Sequence, residues 1–312
     1  MFNYNVATPQ NYGAKADGVT DDTLALQTAI DQHKHIHLPE GIYRINPEIG
    51  LILRTGTYLS GDGVEASVLF ALPGEGSILK RKNPSSRGDY VQSIICEKFA
   101  VVLNHSNSLK KQIAFDFRHI TRSTISKCYA GNYPRSNCKP RPATQPEAIR
   151  GYGVVLGTMS SGLPNYSGGE VNTIESVAVW GVEKCIVIDD AILSPNSAAH
   201  NTTVTGCDLQ IAEVGISQES KYGSSCVFTN NVIQSVQRGN GSVAVTNAIC
   251  IEGFNNLVDG GYIEITKACL NVLLLGKQSK ANQIRLPRMS GSLNGVTDQG
   301  ANNAVVLYGK HG

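Results

Sequence analysis

From residue 172 onward the chain repeats a pattern of polar turns and short β-branched runs. Five such segments begin at residues 172, 201, 224, 255 and 282, at intervals of 29, 23, 31 and 27 residues. Apolar residues fall on alternate positions, as in VAVWGV and CDLQIAEVGI. A period in this range predicts a solenoid, and the β-branched composition without helical periodicity predicts strands as its repeats. We therefore predict an all-β parallel β-helix with turns about 4.8 Å apart and asparagine ladders at its corners.

One helix is predicted near the N-terminus, over residues 21–33. The sequence DDTLALQTAIDQH carries an apolar stripe made by Leu24, Leu26, Ala29 and Ile30. The open end of a β-helix exposes unpaired strand edges and an apolar core, so it needs a cap. We predict that this amphipathic helix is the cap.

Three carboxylates lie close together just before that helix: Asp17, Asp21 and Asp22. Such a group can be a metal site, an acid/base pair or a structural cap. Side chains of this type accept hydrogen bonds from turn and helix N–H groups, and acidic residues interact favourably with the helix dipole. We interpret them as turn and cap residues, because their spacing lacks the alternating oxygen ligands of a calcium loop, and we predict no metal and no cofactor.

The composition excludes several classes of protein. The chain has 312 residues, 32 of them glycine and only 17% charged, which is typical of turn-rich β structure. A net charge of +2 gives no broad basic surface, so no nucleic-acid partner is expected. No apolar run approaches the roughly 20 residues that span a bilayer, so no membrane insertion is expected. The start MFNYNVATPQ does not have the features of a signal peptide.

The eight cysteines are dispersed and form no CxxC motif, so neither a zinc site nor a redox pair is indicated. Several lie within apolar runs, and buried free thiols are the expectation. A Cys128–Cys138 disulfide is the alternative, since these two cysteines flank a loop.

The N-terminal stretch YGAKADGVTDDTLALQTAI, followed by IHLPEGIYRI, carries a family resemblance. It closely resembles the start of the pectate-lyase-like superfamily of right-handed parallel β-helix proteins, which includes polygalacturonases and many bacteriophage tailspikes. The resemblance covers roughly the first 60 residues, on the motif matched by Gly13, Ala14, Asp17, Gly18, Thr20, Asp21, Asp22, Thr23, Pro39, Gly41 and Tyr43. In that superfamily the motif caps the coil, so the resemblance implies the fold and leaves the chemistry open.

We expect residues 1–45 to form the cap, 46–295 the β-helix with a long loop insertion at about 128–170, and 296–312 a C-terminal strand. The resemblance to tailspikes implies a homotrimer that binds host surface polysaccharide. With few residues before the cap motif, we expect another virion tail protein to serve as anchor. We expect a virion-tail location after assembly in the host cytoplasm, and an extracellular location is the alternative.

Glycoside hydrolysis needs two carboxylates on the same or adjacent rungs. The catalytic candidates are Asp189 and Asp190 in IVIDDAIL and, one rung on, Asp208 and Glu213. An Asp-Asp pair followed by a histidine, here His200, is similar to polygalacturonases, but the Gly-His-Gly and Arg-Ile-Lys motifs of those enzymes are missing. Solvated turn residues are the alternative interpretation. A lyase needs a base and a group that neutralises a uronate, for which Asp116, Arg118 and Arg150 are candidates.

The segment 128–170 interleaves tyrosines and arginines in a Pro-, Gly- and Ser-rich sequence. Tyrosine rings stack on sugars, and arginines pair with carboxylates or phosphates. The predicted glycan-binding residues are Tyr129, Tyr133, Arg135, Arg141, Arg150, Tyr152 and Tyr166. The alternative is a loop that covers a lateral face or forms a subunit contact. Trp180 is either a sugar platform or a core residue packed against Gly181, and we favour the core.

Three functions follow from these patterns. The first is a bacteriophage tailspike or tail fibre protein that binds, and in an active form depolymerises, host surface polysaccharide. The second is a free-standing polysaccharide hydrolase or lyase. The third is a structural or adhesive β-helix without activity.

Overall fold

The chain folds as a right-handed parallel β-helix: the repeat predicts the parallel coil, and the N-terminal resemblance implies its hand. The computed structural model describes residues 6–84, 89–104, 111–132, 149–157, 166–167, 169–188, 197–234, 247–265, 270–286, 289–291 and 295–307. Its strands pair in parallel with the equivalent strand of the next turn of the coil. They form three faces, which we call A, B and C, around an apolar interior.

Face A is a ten-stranded sheet. Its strands are His35–Leu38, Tyr58–Gly61, Ile95–Glu97, Thr124–Ser126, Thr173–Glu175, Thr203–Thr205, Val227–Thr229, Leu257–Asp259, Gln283–Leu286 and Ala304–Leu307. Because their central residues are buried, the flanking residues of each short strand point outward. The rung starts taken from the repeat correspond to the five consecutive strands of this face from Thr173–Glu175 to Gln283–Leu286.

Faces B and C form one sheet of 17 strands, because two long strands, Ala178–Ile188 and Asp208–Gln218, run through both. Their first residues pair with face B and their last with face C. The other face B strands are Asp17–Asp21, Gly41–Ile45, Ser67–Ala71, Ala100–Val102, Tyr129–Gly131, Val232–Gln234, Tyr262–Ile265 and Met289–Gly291. The other face C strands are Leu51–Ile52, Gly76–Lys80, Gln112–Arg118, Ile149–Gly157, Asn247–Ile251, Asn271–Leu275 and Val296–Asp298.

Two small sheets pair Val91–Gln92 with Ile120–Thr121 and Tyr166–Ser167 with Ser197–Ala198. No helix in the described ranges is long and apolar enough to cross a membrane.

Left-handed residues form the corners on both sides of face A. They occur in pairs five residues apart, and each N–H donates to a carbonyl of the next rung. The pairs are Ser93/Lys98, Arg122/Lys127, Val171/Ser176, Asn201/Gly206, Ser225/Asn230 and Asn255/Gly260. A single residue at positive φ turns the chain sharply without breaking the hydrogen bonding along the coil axis, so the corners keep the rungs in register.

Asparagines form a ladder inside one corner, as predicted. Asn256 accepts from the Cys226 N–H at 3.0 Å, Asn282 accepts from the Asn256 N–H at 2.9 Å, and Asn303 accepts from the Asn282 N–H at 3.0 Å. Asn256 and Asn282 are buried. These side chains satisfy backbone donors that the sharp corner leaves without a strand partner.

The cap is a helix over Thr23–Gln32, shorter than the predicted 21–33, preceded by a 3₁₀ turn at Pro9–Tyr12. Leu26, Ala29 and Ile30 are buried and join the core of the first rungs. Leu24 is 71% exposed, so its place in the predicted stripe is wrong. It lies on the helix face opposite the core, because 100° per residue carries it away from Leu26.

The three aspartates before the helix have structural partners. Asp17 accepts from the N–H groups of Val19 and Thr20 at 2.8 and 2.7 Å, and these bonds lower its pKa. Asp21 accepts from the Thr23 N–H at 3.0 Å. Asp22 is buried and accepts from the N–H groups of Lys15 and Ala16. Hydrogen bonds to backbone N–H groups therefore account for all three carboxylates, but Asp22, the N-cap residue, holds the preceding loop and makes no side-chain bond to the helix.

The coil begins earlier than the expected residue 46, because His35–Leu38 and Gly41–Ile45 already pair with the following rung. The segment 128–170 is also not one insertion, since Tyr129–Gly131 and Ile149–Gly157 are strands of the coil. Cys128 is a buried free thiol, whereas Cys138 lies outside the described residues.

Candidate functional site

Four strands of face C end together at one corner. Gln218, Ile251, Leu275 and Asp298 are in register. The residues that follow continue the hydrogen bonding, because Glu252 donates to the Gln218 carbonyl at 2.8 Å and Gly276 to the Ile251 carbonyl at 2.9 Å. Glu219 and Glu252 therefore occupy equivalent positions on adjacent rungs, about 4.8 Å apart along the coil axis.

A cavity of about 480 Å³ opens beside this column of residues. Two half-buried glutamates face it together with two exposed lysines, Lys221 and Lys277. We call it the face C groove, and its lining residues are Glu219, Ser220, Lys221, Glu252, Lys277, Gln278 and Gln299. Its polar lining offers both hydrogen-bond acceptors and cations to a polar ligand.

Glycine at position 276 makes room for the Glu252 carboxylate. A Cβ at Gly276 would lie 1.7 Å from Glu252 Oε1, and Glu252 Oε2 accepts from the Gln278 N–H at 3.1 Å. Any larger residue at 276 would displace the carboxylate. The backbone of the next rung thus fixes the position of Glu252.

Glu219 is held by a different set of contacts. Its Oε1 accepts from Lys184 Nζ in an ion pair and from Ser217 Oγ at 2.7 Å. The side chains of Lys184 and Glu219 are only 14% and 16% exposed, so solvent screens this ion pair less than a surface pair. The two glutamates therefore differ, since Glu219 has a cationic partner and Glu252 a backbone donor.

A buried tyrosine extends this network along face C. Lys111 Nζ lies 3.8 Å from the ring centroid of Tyr152 and donates to its hydroxyl at 2.5 Å, while Lys184 Nζ lies 5.4 Å from the same centroid. Tyr152 is fully buried. The prediction that Tyr152 stacks on a glycan is therefore wrong, because a buried ring beside two lysine side chains offers no free face to a sugar.

Cys250 lies near the groove and is half-buried. Burial, followed by the nearby carboxylates of Glu219 and Glu252, raises its pKa to about 12. The thiol is therefore protonated at neutral pH and is not a nucleophile.

The predicted catalytic residues do not line the groove where the structure describes them. Asp208 lies at the opposite end of its strand, on face B, where it accepts from Trp180 Nε1 at 3.2 Å and from Gln210 Nε2 at 2.8 Å. Glu213 lies beyond Ile211, a left-handed residue that bends the strand from face B to face C. The bend puts the two carboxylates on different faces. Asp189 and Asp190 lie outside the described residues.

The aromatic candidates on face B form a packed cluster. Tyr129 is fully buried, and its ring meets the half-buried Trp180 edge-on at 6.0 Å. The prediction that Tyr129 stacks on a glycan is therefore wrong. Its ring packs in a cluster with Val68, Phe70, Ala100 and Val102. Trp180 is half-buried and packs against this cluster on the side away from the apolar interior, so the favoured role as a core residue packed against Gly181 is wrong.

The remaining glycan-binding candidates stay predictions. Tyr133, Arg135 and Arg141 lie outside the described residues. Arg150 and Tyr166 belong to the strands Ile149–Gly157 and Tyr166–Ser167, but their side chains are not described.

The lyase candidates Asp116 and Arg118 are engaged with each other. Arg118 Nε donates to Asp116 Oδ1 at 2.7 Å, and Ser77 Oγ donates to Asp116 Oδ2 at 2.8 Å. The Arg118 side chain is 13% exposed and the Asp116 side chain only 2%. Within the described ranges, no three His, Cys, Asp or Glu side chains converge as a metal site.

A family model described as rhamnogalacturonase A/epimerase, pectate lyase-like, matches residues 5–242. The chain belongs to this family. The matched region contains the N-terminal motif that carries the resemblance, and it also contains the two long strands, Ala178–Ile188 and Asp208–Gln218.

Solved structures with the same fold include tailspikes. The chain superposes on the gp42 tailspike of Acinetobacter phage vb_AbaP_AS12 with a TM-score of 0.67 at 13% identity, covering 99% of this chain and 52% of that one. For the enzymatically active domain of tailspike protein 2 from bacteriophage CBA120, the TM-score is 0.65 at 15% identity, covering 98% and 43%. At these identities the likeness shows the fold alone.

Two curated relatives share a shorter stretch. Mannuronan C5-epimerase AlgE1 of Azotobacter vinelandii is 37% identical over 84 residues, 24% of this chain and 6% of that protein. Alginate lyase 7 of the same organism is 38% identical over 81 residues, 23% of this chain and 9% of that protein. The alignments thus span less than a tenth of either relative.

Proposed function

We propose that this chain is a bacteriophage tailspike or tail fibre subunit that binds an acidic polysaccharide of the host surface in the face C groove. The observation that carries the proposal is the groove itself, where Lys221 and Lys277 are exposed beside Glu219 and Glu252 on adjacent rungs. The tailspike fold and the alginate-related relatives support it.

The lysines supply the affinity for an acidic glycan. Their ammonium groups attract uronate carboxylates, and the glutamates accept hydrogen bonds from sugar hydroxyls. Because both lysines are exposed, binding should weaken as salt screens their charge. Stacked rungs repeat such groups along the coil axis, which suits a polymer with a repeating unit.

Direct binding tests the proposal. Alginate and purified acidic capsular polysaccharides should bind, and neutral dextran should not. The double variant Lys221→Ala/Lys277→Ala should lose about tenfold or more in affinity, which corresponds to about 1.4 kcal/mol. Lys15→Ala, an exposed lysine near the cap, is the matched control and should bind as the wild type does. Equal binding of acidic and neutral polymers would contradict the proposal.

A second candidate function is hydrolysis of the bound glycan. It is favoured by the adjacent-rung positions of Glu219 and Glu252 and by the need for glycine at 276. Hydrolysis requires one protonated and one ionised carboxyl group. Reducing-end release from a polysaccharide that binds should be lost in Glu219→Gln and Glu252→Gln, whereas Asp208→Asn tests the predicted face B carboxylate. Absorbance near 235 nm would indicate a lyase instead.

Gly276→Ala separates the two candidate functions. The added Cβ displaces the Glu252 carboxylate but removes no charge from the groove. If Glu252 is catalytic, hydrolysis should fall much more than affinity. If the groove only binds, reducing ends should not appear with any variant.

A further inference from the structure

A second cluster of chemical groups lies on the outer surface of face A, near the cap. His35 and His37 alternate on one strand, and their register partners on the next rung are Tyr58 and Ser60. Leu59 between them is in the core, so the side chains of Tyr58 and Ser60 point outward. Asp62 follows at the end of the same rung. We call Ser60, His37, Asp62 and His35 the Ser60 cluster.

The distances in this cluster connect a hydroxyl, an imidazole and a carboxylate in series. Ser60 Oγ lies 3.1 Å from His37 Nδ1, and His37 Nε2 lies 3.0 Å from Asp62 Oδ1. Asp62 is itself fixed, because its Oδ2 accepts from the Glu40 N–H at 2.9 Å and its own N–H donates to Ser67 Oγ at 2.9 Å. A nucleophile within reach of a base that a third group orients is the arrangement of an activated serine.

The proton positions follow from the partners. A carboxylate only accepts hydrogen bonds, so Asp62 places the proton of neutral His37 on Nε2. Nδ1 then carries a lone pair and accepts from the Ser60 hydroxyl. Ser60 Oγ is 3.2 Å from His35 Nε2 as well, and since its one proton is directed at His37, it accepts from His35.

His35 therefore supplies a donor beside the nucleophile. Burial, and next the proximity of His37, lowers its pKa, while Glu97, two rungs on, opposes this shift. His35 is thus neutral at pH 7 and keeps its Nε2–H. Its ring stacks on Tyr58 at 4.2 Å, which fixes its orientation. A donor at this position can stabilise negative charge that develops on an oxygen bonded to the carbon under attack.

We propose that Ser60 is the nucleophile of an ester-hydrolysing site with His37 as its general base, acting on small acyl esters such as O-acetyl groups. Ser60 is 6% exposed, while His37 and Asp62 are 31% and 47% exposed at the side chain, so the hydroxyl lies beneath partly exposed side chains on the outer surface of face A. A small acyl group reaches such a position more easily than a bulky one. That the ester belongs to a glycan rests on the proposed function, whereas the hydrolysis of an ester by Ser60 does not depend on it.

The reaction balances with water as the only co-reactant. Ser60 Oγ bonds to the acyl carbon as its proton passes to His37 Nδ1, and the carbonyl electrons move to oxygen next to His35 Nε2–H. Collapse breaks the bond to the alcohol, which takes the proton from His37. Water then attacks the acyl-serine and gives a proton to His37 Nδ1. The bond between Ser60 Oγ and the acyl carbon breaks, His37 returns the proton to Oγ, and the carboxylic acid leaves.

A fluorophosphonate probe tests the nucleophile on the full chain, because it forms an Oγ–P bond with release of fluoride. Peptide mapping should find the probe on Ser60. Ser126 is the internal control, since it is also 6% exposed on face A and shares the register partner Glu97 with Ser60, but has Glu175 on its other side where Ser60 has His37. If Ser60 and Ser126 are labelled to the same extent, Ser60 is not activated and the proposal fails.

Variants separate catalysis from structure. His37→Gln should slow both labelling and hydrolysis of 4-methylumbelliferyl acetate about 100-fold or more, and Ser60→Ala should abolish both. Asp62 is a positioning residue, so Asp62→Asn should lower the rate and Asp62→Glu should restore part of it. Circular dichroism verifies the fold of each variant. An unchanged rate of ester hydrolysis in Ser60→Ala would overturn the proposal, whatever the groove binds.

Discussion

At the scale of single residues, the corners of the coil impose backbone strain on residues that are not glycine. Val171 has φ of 58° and is 50% exposed. A β-branched residue in the left-handed region is costly, because its Cβ crowds the following carbonyl, whereas asparagine tolerates this conformation. Val171→Asn should therefore stabilise the fold by about 1 kcal/mol, measured as a higher denaturation midpoint in guanidinium chloride.

The control for this variant makes the same chemical change in a strand. Val227 begins a strand of face A and has an extended backbone. Asparagine there loses β-propensity and gains nothing from relief of strain. Val227→Asn should lower the midpoint, and a parallel rise in both variants would show that strain at Val171 is not the cause.

A pH dependence is expected from His35. Its pKa is lowered from 6.5, chiefly by burial and next by His37, with Glu97 opposing. The unfolded chain therefore takes up a proton at a higher pH than the folded chain, and stability is lost as the pH falls from 6.5 through the lowered pKa. His35→Gln should flatten this loss below pH 6.5. An NMR titration that finds the His35 imidazole protonated above pH 6.5 would contradict it.

Individual roles in segment 128–170 were hard to predict, because the sequence there looks like a loop. The prediction that Tyr129 and Tyr152 bind sugars rests on the amino-acid composition of the segment alone. Short motifs such as CYAG and GYGVVLG nevertheless alternate as strands, and this alternation was the missed signal. Whether a tyrosine on the outside of a strand is exposed depends on what packs over it, which one sequence does not show.

At the scale of elements, the asparagine ladder replaces the strand hydrogen bonds at a corner. Asn256 connects three partners, accepting from the Cys226 N–H and donating to Gln218 and Asn282. Asn256→Ala leaves a buried N–H without its acceptor, so it should destabilise the fold by about 1–3 kcal/mol. Urea denaturation measures this cost. Asn303→Ala, at the half-buried end of the ladder, should cost less, and equal costs would argue against burial as the cause.

The elements themselves were largely predictable, while the groove was not. Rungs, ladder and cap follow from local patterns, namely short β-branched runs, polar corners and an amphipathic stripe. Glu219, Glu252 and Gly276 come together only because three rungs of unequal length end in register. The available signal was that each follows a buried strand directly, in GISQE, NAICIE and NVLLLG.

At the scale of the whole molecule, the β-helix is quasi-one-dimensional, since each rung contacts mainly its neighbours. The Ser60 cluster lies on the first rungs of face A, and the groove lies on later rungs at the end of face C. Changes in one should therefore leave the other intact. The changes in the free energy of unfolding caused by variants at the two sites should add, because distant sites without shared partners are independent.

Assembly into a homotrimer is expected from the proposed function. A tailspike subunit is expected to be a homotrimer, so light scattering should give three times the 33.4 kDa of one chain. Three grooves on one particle raise the effective concentration of sites along a polymer. The trimer should consequently dissociate from immobilised polysaccharide much more slowly than from a single repeat of the same glycan, and Lys221→Ala/Lys277→Ala should remove that difference. A monomer with equal dissociation rates from both would favour a free-standing enzyme, because a monomer has no second groove to rebind the chain.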